Sequence, residues 1–283
     1  MDTGVTSGTQ FPKHKAPHSL ADGNTSASSA VDRALAVLCA FSRETPTLGV
    51  TEISERLDLT KSTVHRLLQA LLARGLVSHE SDKRHYTLGY RILALAQAVP
   101  GEASLRQICR PHMQWLQALT EETVGLYVVA GDVRICLDEI ESPQMLRMSA
   151  GVGRVFPLDR GAAGKALLID GPSTSSLWRL VTASLPAARI AQLEEELRES
   201  RARGYSQTAG ETVPGSASIG VPIRGTDGAI LAALSLAEPA SRFQGDVVTR
   251  HAIALLEAVS RIERDLAVAY APGAPQVASR RDQ

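Results

Sequence analysis

The stretch LTKSTVHRLLQALLARGLV, Leu59 to Val77, places polar residues at helical spacing. At 100° per residue Ser62, Arg66, Gln69 and Ala73 project opposite Val64 and Leu68, with Lys61, Thr63 and His65 beside them near the helix start. Such a short, mildly basic face suits the major groove of DNA. Arginine pairs bidentately with guanine, glutamine with adenine, and serine or threonine with phosphate or base edges, while the helix N-terminus itself attracts phosphate. The solvated side of any amphipathic helix looks similar, so the neighbouring charge decides. Between Lys61 and Arg91 six basic residues (Lys61, Arg66, Arg74, Lys83, Arg84, Arg91) face two acidic ones (Glu80, Asp82), and the excess is shared by this helix and a hairpin after it. Lys83 and Arg84, at the hairpin tip, are candidates for phosphate or minor-groove contact.

Other stretches suggest chemistry that their surroundings withdraw. RGAAGKALL, Arg160 to Leu168, has too few residues between Gly161 and the Gly164-Lys165 pair for a nucleotide phosphate loop, and Ala166 stands where a magnesium-holding hydroxyl is needed. A helix start of small residues packed on a sheet, with backbone N–H groups open to a ligand carboxylate, fits it better. Ser218 in SASIG, followed by Asp227 or Asp246 and then His251, has the chain order of a hydrolase triad. IGVPI after the serine is extended, however, where a nucleophile elbow turns into a helix. An esterase is therefore set aside, and His251 reads as structural. Cys109 and His112 are two ligands without a second pair, which argues against zinc. Glu194, Glu195 and Glu196 look like a solvated helix side. No cofactor is expected.

The elements that must position these residues can be read from periodicity and punctuation. Residues 1–29, rich in Gly, Ser, Thr and Pro, and the tail from 271 to 283 are expected to be disordered. Over 30–89 a helix carries Val31, Leu35, Leu38 and Phe41 on one side, and the loop SRETPTLG leads to a short helix capped near Thr51 with Ile53 and Leu57 inward. The turn Asp58-Leu59-Thr60 opens the third helix, and Gly75 closes it in a left-handed conformation. LVSHE and HYTLG pair as a hairpin with Val77, Tyr86 and Leu88 on one side. Three helices and a hairpin make a winged helix-turn-helix. GYRILALAQAV is a linker helix within 90–103. From 104 to 270 a helix with Pro111, strands VGLYVVAG, VRICLDEIE, MLRMSAG, SASIGVPIRG and AILAALSLAEP, three intervening helices and a final helix from Asp246 to Tyr270 imply an α+β domain on a largely antiparallel sheet.

Composition is consistent with that plan. At 283 residues the chain is long enough for two domains, and 44% hydrophobic with 4% aromatic residues makes its packing aliphatic. The formal net charge is zero, so any charged surface is local. Three distant cysteines, Cys39, Cys109 and Cys136, read as small core residues in a reducing compartment. No apolar run approaches the roughly 20 residues that span a bilayer, so the expected location is cytoplasmic, without membrane contact.

AVDRALAVLCAFS, TEISERLDLTKSTVHRLLQALLARGLV, YTLGYRILALA, GAAGKALL, ARGYS and GETVPGSASIGVPIRGTDGAILAALSLAEP occur in the order seen in the IclR-type transcriptional regulators, and the chain resembles that family from about Ala30 to Tyr270. The resemblance implies a winged helix joined by the linker helix to a GAF-like effector domain, and a repressor or activator acting on double-stranded operator DNA as a dimer or tetramer. It also implies an effector cavity between sheet and helices, with Met148 and Phe156 as apolar lining and Ala162 and Ala163 as backbone donors. Thr208, Ser216 and Ser218, with Ser235 and Ala237 on the last strand, complete it. Family members that respond to small keto acids carry an acid at the position of Thr208 and a hydroxyl at that of Ala237, so the resemblance points to a larger organic acid here. The alternative weighed against it is a small-molecule sensor or interaction module that never touches DNA, a role that gives no reason for the basic excess around the hairpin.

Overall fold

The computed structural model describes residues 30–80, 84–99, 102–171 and 175–270, which fall into two compact units, one up to residue 100 and the other from residue 101. The expected tails, and Lys83, lie outside the described residues.

In the first unit α1 (Ala30–Cys39), α2 (Val50–Leu57) and α3 (Lys61–Leu72) surround a core of Val37, Phe41, Leu48, Ile53, Val64, Leu67, Leu68, Leu71, Val77 and Tyr86. Every third or fourth residue of α3 from Val64 to Leu71 is buried, which leaves its polar side outward. The turn into α3 closes because Asp58 takes the left-handed conformation (φ 52°) and Thr60 caps the helix, its Oγ1 accepting from the Thr63 N–H at 3.3 Å. The far end is a Schellman motif: Gly75 (φ 68°) lets the Leu76 N–H reach Leu71 O and the Gly75 N–H reach Leu72 O.

Five expectations change in this unit. The cap of α2 is Gly49, whose N–H donates to Glu52 Oε2 at 2.6 Å, not Thr51. The loop SRETPTLG contains strand β1 (Thr47–Gly49), which pairs antiparallel with β3 (His85–Leu88), itself paired with β2 (Val77–Glu80), so the hairpin becomes a three-stranded sheet. Val31 and Leu35 are exposed, since α1 turns Val37 and its neighbours inward, and Leu88 is exposed although it shares a face with Val77 and Tyr86. The helical part of GYRILALAQAV is confined to α4 (Arg91–Ala96).

The second unit is built on a six-stranded antiparallel sheet in the order β6-β5-β4-β9-β8-β7: β4 (Thr123–Ala130), β5 (Val133–Ile140), β6 (Val155–Pro157), β7 (Ser206–Ala209), β8 (Ser216–Arg224) and β9 (Ile230–Pro239). MLRMSAG is not a strand. It forms a loop tied down by Glu139, whose carboxylate accepts from Ser149 Oγ (2.6 Å), the Ala150 N–H (2.8 Å) and the Gly151 N–H (3.0 Å). β6 and β7 are too short for alternation to reveal.

One sheet face is aliphatic. Val124, Leu126, Ile219, Val221, Ile223, Leu234 and Leu236 pack with α5 (Glu102–Thr120) and α9 (Asp246–Ala269), and α5 runs through Pro111 without ending. Along these strands alternate residues face the other way, toward α6 (Ala162–Leu167), α7 (Ser176–Thr182) and α8 (Ala187–Arg203). Cys109 and Cys136 are buried as expected, and burial pushes both thiols up to about 12; Cys39 is exposed, contrary to expectation. Because the thiolate is the nucleophile, native protein should react with one equivalent of a chromogenic disulfide reagent and denatured protein with three. Prompt modification of Cys109 or Cys136 in the native state, located by mass spectrometry, would contradict this burial.

Candidate DNA-reading face and effector site

On α3 the side chains of Lys61, Ser62, His65, Arg66 and Gln69 are exposed, whereas Thr63 is half-buried, drawn into the cap by a 2.9 Å contact with Thr60 Oγ1. Thr60 Oγ1 also lies 3.1 Å from Ser62 Oγ, so both hydroxyls at the helix start are oriented by the cap. Gln69 Nε2 approaches Tyr86 Oη at 3.4 Å, a link from α3 to the wing, and Tyr86 in turn stacks on His79 at 4.7 Å between centroids. Arg66 is exposed in the middle of the face. Arg84 is exposed beside the hairpin tip in the left-handed region (φ 51°). Within this unit the structure therefore gathers Lys61, Ser62, His65, Arg66 and Gln69 on one outward surface.

In the second unit, strand register shows what the sheet offers to its helix-covered face. Thr208 is opposite Ser218, Ser218 opposite Ala237 and Ala237 opposite Thr123; one step along, Ser206, Gly220, Ser235 and Gly125 form a parallel row. This face is a floor of hydroxyls and small groups. Thr208 Oγ1 and Ser218 Oγ are 3.1 Å apart, and Ser206 Oγ donates to Ala162 O at 2.6 Å, which seats the α6 loop on the floor. Gly220 permits that seat: a Cβ there would come within 2.6 Å of Ala162 O and 2.9 Å of the Ala163 nitrogen.

Phe156, Ala162, Ala163, Thr208 and Ser235 are buried around this floor, while Met148, Ser216, Ser218 and Ala237 are half-buried. Ser216 Oγ is spent on Val213 O at 2.6 Å, so it acts in the turn and not toward the floor. Phe156 meets Tyr127 edge-on at 6.4 Å, and the Tyr127 ring lies back over Gly125, where a Cβ would come within 2.6 Å of it. Tyr127 thus joins the site although the sequence reading passed over it; its place two residues from Gly125 on an inner strand was the available signal. Burial raises its phenol well above the ordinary range.

At the margin the structure pairs charged residues whose partners the sequence did not reveal. Lys165, 2% exposed, places its ammonium 2.5 Å from Glu211 and 3.0 Å from Glu196, and Glu211 also accepts from the Gly161 N–H at 2.9 Å. Lys165 thus anchors α6, and Glu196 is a working partner, not part of a merely solvated side. Beside this triad lies a cavity of about 230 Å3 that borders Thr208, Gln207 and Ser200. The hydrolase reading fails on geometry as well. Ser218 faces Thr208, whereas His251 Nδ1 lies 3.0 Å from Glu238 Oε1, and Glu238 follows Ala237, the cross-strand partner of Ser218, so it points to the opposite face of the sheet. His112 pairs with Asp265 at 2.7 Å, away from any ligand set, and among the described residues no metal-binding cluster forms.

A winged helix-turn-helix with an exposed basic recognition face, together with a second unit whose antiparallel sheet carries a polar floor under helices, defines a DNA-binding regulator with a ligand-type domain. Residues 30–81 match the IclR helix-turn-helix domain and residues 97–264 the C-terminal domain of the bacterial transcriptional regulator IclR. The chain belongs to the IclR family. It is 31% identical over 253 residues to the HTH-type transcriptional regulator BhcR of Paracoccus denitrificans, covering 86% of this chain and 88% of that one. It is 31% identical over 205 residues to KdgR of Dickeya chrysanthemi, covering 70% and 67%. Among solved structures, an IclR regulator from Silicibacter superposes with a TM-score of 0.72 at 27% identity, covering 84% of this chain and 96% of that one. An IclR homologue from Microbacterium hydrocarbonoxydans, complexed with 4-hydroxybenzoate, gives 0.69 at 26% identity, covering 84% and 99%. The protein is a ligand-responsive, DNA-binding transcriptional regulator and not an enzyme. Among the described residues no helix is long and apolar enough to cross a membrane.

Proposed function

We propose that residues 30–89 read a two-fold-related operator as a dimer, with Arg66 and Gln69 on base edges and Lys61, Ser62, Thr63, His65, Lys83 and Arg84 on phosphates or the minor groove. Residues 104–270 bind an organic acid larger than pyruvate, against Met148, Phe156, Ala162, Ala163, Thr208, Ser218, Ser235 and Ala237. Ser216 acts there through its turn. The observation that carries the effector half is the sheet floor, where hydroxyls alternate with glycine and alanine beside Phe156 and Tyr127 of the same sheet: a site with apolar walls and a few convergent donors. The Microbacterium relative bound to 4-hydroxybenzoate supports an aromatic acid. Binding changes operator affinity by favouring one spacing of the paired DNA-reading units, with residues 90–103 as the coupling element, a linkage typically worth about 1–3 kcal/mol.

Fluorescence anisotropy on DNA flanking the chain's own gene tests the first half. Arg66→Ala is expected to lose about 1–3 kcal/mol of preference for operator over a scrambled duplex, because a bidentate base contact discriminates by that amount. Arg84→Ala is expected mainly to flatten the salt dependence. Equal losses on both duplexes for both variants would contradict this division. Release of the operator by aromatic acids but not by pyruvate is the expected effector result.

A further inference from the structure

Arg134 on β5 is 4% exposed, yet among the described residues no carboxylate stands within ion-pair distance of it. Its Nη1 donates to Pro157 O and to Arg160 O, the latter at 2.6 Å. Its Nε is buried without a hydrogen-bond partner. The two acids whose charges act on it through space, Asp159 and Glu211, are already engaged: Asp159 with Arg160 (3.4 Å) and Arg189 (3.5 Å), Glu211 with Lys165 and the Gly161 N–H. A buried guanidinium bonded only to neutral carbonyls, with one donor idle, is a costly arrangement unless a negative charge completes it. Burial lowers its pKa from the ordinary value to about 10, so it stays charged at neutral pH.

Its surroundings are those of the effector site. The guanidinium carbon lies 5.0 Å from the Phe156 ring centroid and 5.6 Å from that of Tyr127. On its other side is the α6 loop: a Cβ at Gly161 would come within 2.8 Å of Nη2 and one at Gly164 within 2.6 Å of Nη1. Glycines at both positions leave room for the guanidinium between the loop and the rings. With Nη1 committed to carbonyls, the Nε–Nη2 edge is the one left for a planar anion, and that edge matches a carboxylate bidentately. Phe156 stands beside the guanidinium on β6, a three-residue edge strand paired only with β5 among the described residues.

We propose that Arg134 is the anion anchor of the effector site, pairing with the ligand's carboxylate while the remainder of the ligand lies against Tyr127, Phe156 and the hydroxyl floor. This rests on the effector reading above and makes its ligand class obligatory: the acid binds, and the corresponding amide does not substitute for it. The competing role is a purely structural clamp on residues 157–160, which predicts no preference between acid and amide.

The test uses the full chain with 4-hydroxybenzoate and its neutral isostere 4-hydroxybenzamide, followed by calorimetry and thermal shift. The acid is expected to bind the wild type at least tenfold more tightly than the amide. Arg134→Met is expected to abolish that ratio while retaining the circular dichroism spectrum, and Arg134→Lys to keep part of it. If Arg134→Met does not fold, the wild-type ratio and its reduction in Arg134→Lys carry the result. A preference undiminished in Arg134→Met or in Arg134→Lys, or an amide that binds the wild type as well as the acid, overturns the anchor and leaves the effector site standing. Failure of the wild type to bind either compound, or benzoate, phenylacetate and pyruvate in the same assay, overturns the anchor and the acid-effector reading together.

Discussion

Lys165→Met is expected to destabilise the effector unit by about 3 kcal/mol, at the lower end of what removal of one partner from a buried ion pair costs. Lys165 is 2% exposed, and its two carboxylates, Glu211 and Glu196, are 28% and 23% exposed, so they can recover some hydration once the ammonium is gone. That partial exposure keeps the loss at the lower end. Removing the charge also releases the Gly161 N–H from a Glu211 no longer held in place, so the α6 loop should loosen on the floor beneath it. Urea denaturation followed by the fluorescence of Trp115 and Trp178, both in this unit, measures the change. A loss below about 1 kcal/mol would mean that the triad is no stronger than a surface pair.

The same substitution has a pH signature. Burial raises the Glu196 carboxyl, but the ammonium of Lys165 and the guanidinium of Arg189 outweigh it and hold the pKa below its ordinary value. A carboxyl depressed in the folded state contributes stability above its unfolded pKa and loses it as pH falls through the folded one. The wild type is therefore expected to lose stability on acidification below the usual carboxylate range. Lys165→Met should show a shallower loss there, because Arg189 alone remains to depress the group.

Leu68→Ala is the second large effect, and it addresses the other unit. Leu68 is fully buried on the inner side of α3, between the helices and the wing. Truncating a leucine in such a core typically costs about 2–5 kcal/mol, transfer and cavity terms together. The DNA-reading unit has roughly 60 ordered residues and hence a total stability of about 3–9 kcal/mol at 0.05–0.15 kcal/mol per residue. One substitution thus consumes a large share of it. Specific operator binding is expected to disappear at 37 °C, while thermal stabilisation by an effector acid persists because the second unit has its own core. Loss of both properties together would show that the units unfold as one cooperative body.

How much was legible beforehand differs between the two units. Val64, Leu67, Leu68 and Leu71 repeat at helical spacing, and a polar face opposite such a stripe can only point outward, so the reading surface of α3 was already present in the order of residues. The turn at Asp58 and the closure at Gly75 are also local matters of backbone conformation. Strand β1 escaped notice because three residues are too few to alternate, and only a partner in β3 gives them a ladder.

In the effector unit the long strands β4, β5, β8 and β9 announced themselves, and alternation placed Ser235 and Ala237 on one face. By itself the sequence determined which residues alternate, which small residues allow close approach and where the basic excess lies, since these depend on neighbours in the chain. Tertiary structure decided what those residues meet. Register across four strands set Thr208, Ser218, Ala237 and Thr123 in one row, and burial turned Lys165 from an apparent phosphate ligand into the centre of an ion triad. Sheet and loop together enclosed Arg134 without an ion-pair partner among the described residues. The reason is physical: the cost of burying a charge, and the identity of its partner, depend on groups dozens of residues away that only folding brings within 4 Å.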